Sequence, residues 1–350
     1  MCLTCSMVVL PGAAEQRRAD AAELPPAKAD HHLHIQSPNA TAELKRRLAL
    51  NPEHFAIFDP ALMETRTGAD ALSVLDAAGI AQGALLSMAY IFASPRATVT
   101  SSDAPSLTRA ENEWNVAAAL AAGERLKAFV SVNPFASFAI DELRHWHGRP
   151  GVTGLKLHLS NSDFDWHADH QIEKLAYVFA TARTQAMPII VHARAGGDYD
   201  AAETRRFIEQ VIAHAGDLQV QIAHGGGGGG LDEATLYALA LYGDAIQREA
   251  PGTRNMVFDL AAVLVRDSTE PHSVSMLRQM AERMRKIGLH RFLMASDWPS
   301  VLAPREHNEW LQTQIPLTPD EWRVVLSNRA HYFGPSPSTD PSSTSSERRG

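Results

Sequence analysis

The sequence alternates short apolar segments with longer amphipathic ones over most of its length, and this alternation limits the fold more than any other feature. The apolar segments, each of a length suited to a buried strand, are 30–34, 83–92, 126–133, 152–159, 188–195, 218–224, 256–263 and 291–296. Helical periodicity is found in 61–78, 106–122, 138–145, 170–185, 201–215, 231–247, 271–287 and 319–327. Strands that alternate with helices form parallel βαβ units, and eight such units predict a closed α/β fold, the (β/α)8 TIM barrel. An open doubly wound sheet is the alternative, but no Gly-x-Gly-x-x-Gly turn follows the first strand.

Charge and hydropathy exclude several classes of partner. With 350 residues, of which 45% are hydrophobic and 21% charged, the chain is long and apolar enough to bury a large core. The formal net charge of -8 argues against nucleic acid, because phosphate binding needs clustered Lys and Arg. No apolar run approaches the roughly 20 residues that span a bilayer. We therefore expect a small-molecule substrate, no nucleic-acid or membrane partner, and at most association into a homo-oligomer.

The two ends of the chain differ in composition from the rest. Residues 1–27 contain a short apolar run and the only two cysteines, Cys2 and Cys5, which precede any strand and lack a second pair to hold zinc. This tail resembles a degenerate signal peptide, so we expect a periplasmic or secreted protein rather than a cytoplasmic one. Residues 334–350 are rich in Ser, Thr, Pro and charge and are predicted to be disordered. The barrel domain is assigned to the remaining residues, 28–333.

A pair of histidines lies in the first predicted strand. Alternation along a strand sends Asp30, His32 and His34 to one face and sends His31 and Leu33 to the other. Two imidazoles that converge in this way suit a divalent metal, but a catalytic zinc takes about three protein ligands and keeps one position open. Asp30 shares their face and is a candidate either to hold a ligand imidazole from behind or to pair with a cation at the rim of the barrel. Other strands must supply the missing ligands.

Polar residues also end or follow four later strands, at the end of a barrel where functional groups are found. They are Lys156 and His158 in the fourth strand, His192 directly after 189–191 of the fifth, His224 directly after 221–223 of the sixth and Asp297 directly after the eighth. Each residue alone has a simple structural explanation, such as a hydrogen-bonded core histidine or an Asp that caps a turn. Their coincidence with the first-strand pair instead indicates a metal site. Asp259 in the seventh strand is expected to be structural.

The motifs at these positions resemble those of the amidohydrolase-related family of metal-dependent TIM-barrel hydrolases, which includes the aminocarboxymuconate-semialdehyde decarboxylase-like group. The resemblance covers roughly residues 28–333. It rests on His-x-His at 32–34, Gly-Leu-Lys-Leu-His at 154–158, the single His that ends strands five and six, Ser-Asp-Trp-Pro at 296–299 and Asn-Arg-Ala at 328–330.

The resemblance implies a ligand set for one divalent metal, most often zinc. The implied ligands are His32, His34, His192 and Asp297. Manganese, iron or cobalt would also suit mixed histidine and carboxylate ligands. His224 would then lie beside the activated water or the substrate rather than bind the metal. Two metals are the alternative, because some members of the superfamily carry a carboxylated Lys in strand four, which would be Lys156 here.

The predicted activity is hydrolysis of an ester, lactone or amide bond in a small organic substrate. A bound divalent ion activates water and polarises a carbonyl group. Asp297 would accept the proton of the water and deliver it to the leaving group, while His224 would stabilise the oxyanion or orient the nucleophile. Decarboxylation of an aromatic or unsaturated carboxylic acid on the same scaffold is the alternative. A non-catalytic barrel is disfavoured, because every expected ligand position holds a competent residue.

Substrate contacts are harder to predict than metal ligands. Arg194 has the planar fork that binds a carboxylate, and Trp298 next to Asp297 is a candidate for the pocket wall. Lys156 and His158 are further candidates, because they lie on the strand face opposite Leu155 and Leu157. The glycine run 225–230 is expected to let a substrate or loop approach His224. Substrate identity is expected to lie in the loops 37–60, 93–105 and 160–170.

Overall fold

The computed structural model describes residues 24–56, 58–194, 201–265 and 273–334. Within these ranges, eight parallel strands form one sheet in which each strand pairs with the next strand along the chain. The strands are β1 (Ala29–Leu33), β2 (Gln82–Leu86), β3 (Leu126–Ser131), β4 (Val152–His158), β5 (Ile189–His192), β6 (Val220–Ile222), β7 (Met256–Asp259) and β8 (Phe292–Leu293). The predicted (β/α)8 TIM barrel is confirmed.

The barrel closes between its first strand and the segment that follows its last one. The backbone N–H of His31 donates to Met294 O at 3.0 Å, and that of Asp297 donates to His32 O at 2.9 Å. The N–H of His34 donates to Trp298 O at 2.7 Å. These bonds pair backbone groups that would otherwise be left at two open sheet edges. They also bring Asp297 next to the histidine pair.

Helices alternate with the strands in the described ranges. They are α1 (Pro38–Leu50), α2 (Pro52–Phe55), α3 (Gly68–Ala78), α4 (Ala104–Ala122), α5 (Ala139–Trp146), α6 (Asp169–Thr184), α7 (Ala201–Gln210), α8 (Glu233–Gln247), α9 (Val274–Ile287), α10 (Pro304–Gln314) and α11 (Pro319–Ser327). The predicted helix 61–78 begins only at Gly68, because the Thr67 and Asp70 side chains form a capping box there.

Two sequence predictions about the first loops were wrong. The polar stretch before Pro60 contains α1, which begins at the Ser37 cap with Pro38 in its first turn. The helical periodicity of apolar residues is weak in this segment, because the buried face of α1 includes Glu43 and Arg47 beside apolar residues. The predicted strand 83–92 ends at Leu86, and Ala89–Ala93 forms a 3-10 turn. A short apolar run does not distinguish a buried strand from a buried turn of helix.

Apolar residues form an inner and an outer layer around the sheet. The inner cluster contains Ala29, Ala84, Leu86, Phe129, Ile190 and Leu293, which alternate with the outward-facing residues, and it is joined by Ala330 and Phe333. The outer cluster lies between strands and helices and includes Leu33, Leu85, Leu155, Leu157 and Val191. Alternate residues of each strand therefore serve the two layers, as expected for a small closed barrel.

A third cluster covers the end of the barrel at which the strands finish. It joins α1 to the segment after β2 through Ala40, Leu44, Leu62, Met88, Tyr90, Ile91 and Phe92. The buried Glu43 carboxylate connects the same two parts, because it accepts from Arg47 Nε at 2.9 Å and from Thr98 N at 2.7 Å. We call residues 38–63 and 88–99 the cap.

The predicted terminal tails lie mostly outside the described residues. This applies to 1–23, with both cysteines, and to 335–350. The assignment of 28–333 as the barrel domain therefore remains a prediction at its two boundaries. Within the described ranges, no helix has both the length and the apolar character needed to cross a bilayer.

A buried carboxyl group supports the cap from α4. Glu111 is 1% exposed, and its carboxyl accepts from Ser37 Oγ and from Ser37 N, the latter at 3.3 Å. Burial raises the pKa of Glu111 from its ordinary value of 4.5 to about 7, although the Ser37 bonds act in the opposite direction. Ser37 caps α1, so the carboxyl group and the start of α1 are coupled.

We expect the Glu111→Gln protein to be more stable than the natural protein at pH 8 and to lose most of this advantage at pH 5. Between pH 4.5 and about 7 the unfolded chain ionises while the folded chain does not, so stability falls as the pH rises through this window. The natural protein therefore loses roughly 2–3 kcal/mol of folding stability between pH 5 and pH 8, and the variant, which has no carboxyl group to ionise, does not. Urea unfolding at both pH values measures it. The exposed Glu113→Gln is the control, and equal behaviour of both variants would contradict the prediction.

Candidate metal centre

A cavity of about 500 Å³ opens where the strands end beneath the cap. Its polar lining includes His32, His34, Lys156, His158, His192, His224 and Asp297. Its apolar lining comes largely from the cap and includes Leu44, Phe55, Phe58, Leu62, Met88, Tyr90 and Ile91. Every candidate site residue from the sequence lines this cavity except Arg194 and Trp298. The barrel therefore brings together residues that lie up to 265 positions apart in the chain, from His32 to Asp297.

One group of possible metal donors consists of His32, His34 and Asp297. Asp297 Oδ1 lies 3.1 Å from His34 Nε2 and 3.4 Å from His32 Nε2. All three ligand atoms are within 4.8 Å of one another. Neighbouring donors around a tetrahedral ion with bonds of about 2.0–2.2 Å are roughly 3.3 Å apart, so the observed spacing fits a divalent metal.

Hydrogen bonds on the far side of the rings determine which nitrogen faces the cavity. Nδ1 of His34 donates to Leu86 O at 2.7 Å, and Nδ1 of His224 donates to Ala261 O at 2.7 Å. A carbonyl oxygen only accepts, so Nδ1 carries the proton in the neutral ring and Nε2 keeps a free lone pair. His34 Nε2 and Asp297 Oδ1 are then two acceptors that face each other. A cation resolves this arrangement, which is a second reason why the site fits a metal.

His32 is oriented by Asp259, a residue that sequence reasoning treated as merely structural. Asp259 Oδ2 accepts from His32 Nδ1 at 3.1 Å and from Gln221 Nε2 at 2.7 Å, while Oδ1 accepts from His224 N at 2.9 Å. Burial lowers the pKa of His32, and the Lys156 ammonium acts in the same direction, so the ring is neutral. A carboxylate behind a ligand histidine fixes its orientation and raises its basicity.

Asp259 also belongs to a second group of possible donors, with His32 and His224. Its oxygens already accept three donors, and Ala261 N at 3.2 Å is a fourth. Little lone-pair capacity remains for an ion, so we assign Asp259 an orienting role. The sequence could have indicated this role, because Asp259 is an acidic residue at the end of an apolar strand. A charge buried in such a place needs hydrogen-bond partners.

The strict alternation predicted for β1 was wrong. The register between β1 and β2 shifts between Asp30 and Leu33. As a result the His31 ring does not share a side with Leu33 of the outer core; it packs against Phe333, with centroids 5.3 Å apart. Asp30 holds no ligand imidazole either, because its Oδ1 accepts from the backbone N–H of His32 at 3.0 Å and of Ser296 at 3.2 Å.

His192 lies in the cavity but outside both donor groups. Its ring stacks on His158, with centroids 4.1 Å apart and planes inclined by 13°, and its centroid is 4.7 Å from that of His224. Lys156 is fully buried, and its Nζ lies 3.2 Å from His32 Nε2. Burial lowers the pKa of Lys156 to about 8. The roles of His192 as a ligand and of Lys156 and His158 in substrate binding stay predictions.

Arg194 and Trp298 lie elsewhere. Arg194 pairs with Asp232 at 2.5 Å, and Asp232 also caps α8 by accepting from Thr235 N. Trp298 is buried in the outer core beneath the guanidinium of Arg66, 5.7 Å from its ring centroid. These contacts explain both side chains through packing and pairing. Their predicted substrate contacts have no support in this arrangement.

Two other arginines line the cavity and were missed. Arg47 belongs to α1 and Arg96 to the loop after Ala89–Ala93. Arg96 donates to Ser160 O at 2.6 Å, whereas Arg47 donates to Glu43 and to Ile91 O. Both lie in the segments 37–60 and 93–105, which the sequence had indicated as sites of substrate identity. The sequence did not predict their inward orientation, because no motif determines it. The tertiary contacts of the cap direct both side chains into the cavity.

The glycine run 225–230 comes directly after His224 in the chain and forms part of the cavity wall. His224 itself has φ 56°, a left-handed conformation that is unusual for a residue with a side chain. Gly228 and Gly229 line the cavity. A Cβ on Gly227 would lie 2.5 Å from Thr235 Oγ1, so the absence of a side chain lets the run pack against α8.

Comparison with known proteins agrees with this architecture. The family model described as Amidohydrolase matches residues 29–328. No curated protein matches the chain. Among solved structures, 5-carboxyvanillate decarboxylase from Sphingomonas paucimobilis is similar with a TM-score of 0.57 and 15% identity, over 86% of this chain and 97% of that one.

Two further structures share the fold. A probable 2-pyrone-4,6-dicarboxylic acid hydrolase from Acinetobacter baumannii has a TM-score of 0.54 and 16% identity, over 88% of this chain and 99% of that one. The 5-carboxyvanillate decarboxylase from Novosphingobium aromaticivorans, solved with manganese and a nitrobenzoic acid, has a TM-score of 0.58 and 12% identity, over 89% and 97%. The family match covers most of the barrel and identifies an enzyme. The chain therefore belongs to the amidohydrolase family, as the motifs in its sequence predicted.

Proposed function

We propose that the protein is a metal-dependent hydrolase that cleaves an ester, lactone or amide bond in a small anionic molecule. The observation that carries this proposal is the position of Asp297. Its carboxylate oxygen Oδ1 lies 3.1 Å from Nε2 of His34 and 3.4 Å from Nε2 of His32 within the cavity. A carboxylate next to a metal's ligands is well placed to move the proton of an attacking water.

The proposed cofactor is one divalent ion held by His32, His34 and Asp297, with His192 as a fourth donor. Zinc commonly binds histidine nitrogens together with a carboxylate. Manganese can bind the same donors, although it prefers oxygen ligands more strongly than zinc does. When bound, such an ion lowers the pKa of water and polarises a carbonyl oxygen. A second ion on carboxylated Lys156 is less well supported, because Lys156 Nζ already lies within hydrogen-bond distance of His32 Nε2, at 3.2 Å.

The residues of the chain divide the proton transfers between them. Asp297 accepts the proton of the attacking water on a carboxylate oxygen and later returns it to the leaving oxygen or nitrogen. His224 donates through Nδ1 to Ala261 O, so its Nε2 accepts a hydrogen bond and orients the nucleophile. The tautomer that carries its proton on Nδ1 fits this role better than oxyanion stabilisation, because its Nε2 has a lone pair and no proton to donate.

Charge in the cavity supports an anionic substrate. Arg47, Arg96 and Lys156 contribute cations to the lining, and Asp297 is the only acidic residue among the described lining residues. Burial lowers the pKa of Arg47, and the nearby Arg96 guanidinium acts in the same direction. Like charges that are brought together in a cavity are stabilised by an anion between them.

The same charge favours decarboxylation of an aromatic or unsaturated acid as the second candidate. The cap contributes a wall of Phe, Leu, Met and Tyr side chains that suits a flat apolar ring beside a carboxylate. The fold is shared with decarboxylases that act on 5-carboxyvanillate. In this reaction Asp297 would take a proton from water and deliver it to the carbon whose bond to CO₂ breaks, instead of to a leaving group.

The experiment that separates the two reactions is a substrate panel with enzyme loaded with zinc or manganese. Lactones, esters, amides and aromatic acids are incubated with the enzyme, and both acid release and CO₂ release are followed. We expect turnover of a carboxylate-bearing lactone, ester or amide without CO₂ release. Release of CO₂ from an aromatic acid, with no hydrolysis, would replace the first function by the second.

Replacing Arg96 tests whether the substrate is an anion. We expect Arg96→Ala to raise KM about tenfold for a substrate with a carboxylate and to change KM little for its neutral ester or amide analogue, because a charge-assisted hydrogen bond is lost. Steady-state kinetics with the matched pair of substrates measures the difference. Arg144→Ala is the control, since Arg144 is exposed and pairs with Asp141 on the surface. Equal effects on charged and neutral substrates would rule out carboxylate recognition by Arg96.

A further inference from the structure

His192 differs from the other cavity histidines in how its ring is held. His32, His34 and His224 each donate through Nδ1 to an oxygen behind the ring. Among the described residues, no hydrogen-bond partner approaches either ring nitrogen of His192, although the ring is buried. A ligand histidine almost always has such a partner, which fixes its orientation and its tautomer. Something else must therefore orient His192.

The only close parallel ring contact of His192 among the described residues is with His158. The two residues are direct partners in the β4–β5 register, and their rings stack with centroids 4.1 Å apart and planes inclined by 13°. The His224 ring meets His192 edge-on at 4.7 Å. The His192 ring is thus confined between two aromatic neighbours.

His158 is itself firmly held. Asn161 N donates to His158 Nδ1 at 3.3 Å, and the amide group of Asn161 lies 3.1 Å from His158 Nε2. Tyr90 of the cap packs against the same ring with centroids 4.8 Å apart. Both nitrogens therefore face Asn161, which leaves the ring face of His158 as the part that meets His192. This use of nitrogens excludes His158 as a donor to the ion.

We propose that His158 is a positioning residue: by ring stacking, in place of the missing hydrogen bond, it holds the His192 ring in the cavity, where His192 serves as the fourth metal donor. The last residue of the Gly-Leu-Lys-Leu-His run, His158, would thus support the ring of the strand-five ligand, His192. This inference rests on the proposed metal site but not on the reaction. Failure of every hydrolysis assay would leave it untouched, because its test measures metal binding.

The expected effect is moderate. Stacked aromatic pairs contribute enough that loss of one ring should weaken metal binding about three- to tenfold, provided that His192 is a donor. The full-length protein is freed of metal by dialysis and titrated with Zn²⁺ against a chromophoric chelator. We expect His158→Ala to show this loss and His158→Phe to stay within about twofold of the natural protein, because Phe keeps the ring and lacks the nitrogens.

A double-mutant cycle distinguishes positioning from a general structural effect. His192→Ala is combined with His158→Ala, and Zn²⁺ affinity is measured for all four proteins. If His158 acts through His192, its replacement should have no further effect on the His192→Ala background. The proposal is overturned by an equal loss on both backgrounds, by a loss in His158→Phe that matches His158→Ala, or by unchanged affinity in His192→Ala.

Discussion

The Asp297→Asn enzyme is expected to lose turnover by about 10²- to 10⁴-fold while it still binds metal. Asn has the same shape and keeps one oxygen to face His32 and His34, but its amide cannot accept a proton at neutral pH. The backbone of residue 297 is also fixed, since its N–H donates to His32 O at 2.9 Å and Ser300 N donates to its carbonyl at 2.8 Å. The variant therefore removes proton transfer with little change in geometry.

Two measurements check this result on the same sample. Turnover of the best panel substrate gives the loss of activity, and elemental analysis after desalting gives the metal content. Asp141→Asn is the control, because Asp141 is an exposed residue that pairs with Arg144. Unchanged turnover in Asp297→Asn would rule out proton transfer by this residue, whereas loss of both metal and turnover would show that its main role is ligation.

Replacement of Asp259 by Asn should weaken metal binding about 10- to 100-fold, the range typical of lost partners behind ligand histidines. The natural carboxylate accepts hydrogen bonds from His32 Nδ1, Gln221 Nε2 and the N–H of His224. An amide NH₂ in place of one oxygen would face a donor instead. The His32 ring would then turn or change its tautomer, and its Nε2 would no longer present a free lone pair.

Chelator competition with Zn²⁺ measures the affinity, and a thermal melt of the metal-free protein separates it from general destabilisation. Asp244→Asn is a matched control, since Asp244 is half exposed and pairs with Lys286 on α9. An Asp259→Asn protein that melts like the natural protein yet binds metal as tightly would show that His32 needs no carboxylate behind it.

The fold was predictable because it depends on periodicity. Eight apolar runs separated by helical patterns leave few ways to bury both faces of a parallel sheet, and the order of the strands follows the order of the chain. Boundaries were less predictable. The strand predicted for 83–92 was too long, because burial of Tyr90 and Ile91 in the cap looks the same in the sequence as burial in a sheet.

The convergence of His32, His34, His224 and Asp297 on one cavity followed from their places at strand ends. Residues in loops could not be treated in this way. Arg194 carried the expected chemistry but pairs with Asp232, whereas Arg47 and Arg96 reach the cavity from the cap. The sequence shows that such side chains are present, but only the packing of α1 against the segment after β2 decides where they point.

By itself, the sequence determined the barrel and the set of strand-end side chains that could bind a metal, because alternation and strand order are local properties. The tertiary structure alone decided the orientation of these side chains. Asp259 behind His32, the register shift beside His31 and the stacking of His192 on His158 all depend on contacts between distant parts of the chain. Such contacts form only when the sheet closes and its neighbours pack, so no local pattern records them.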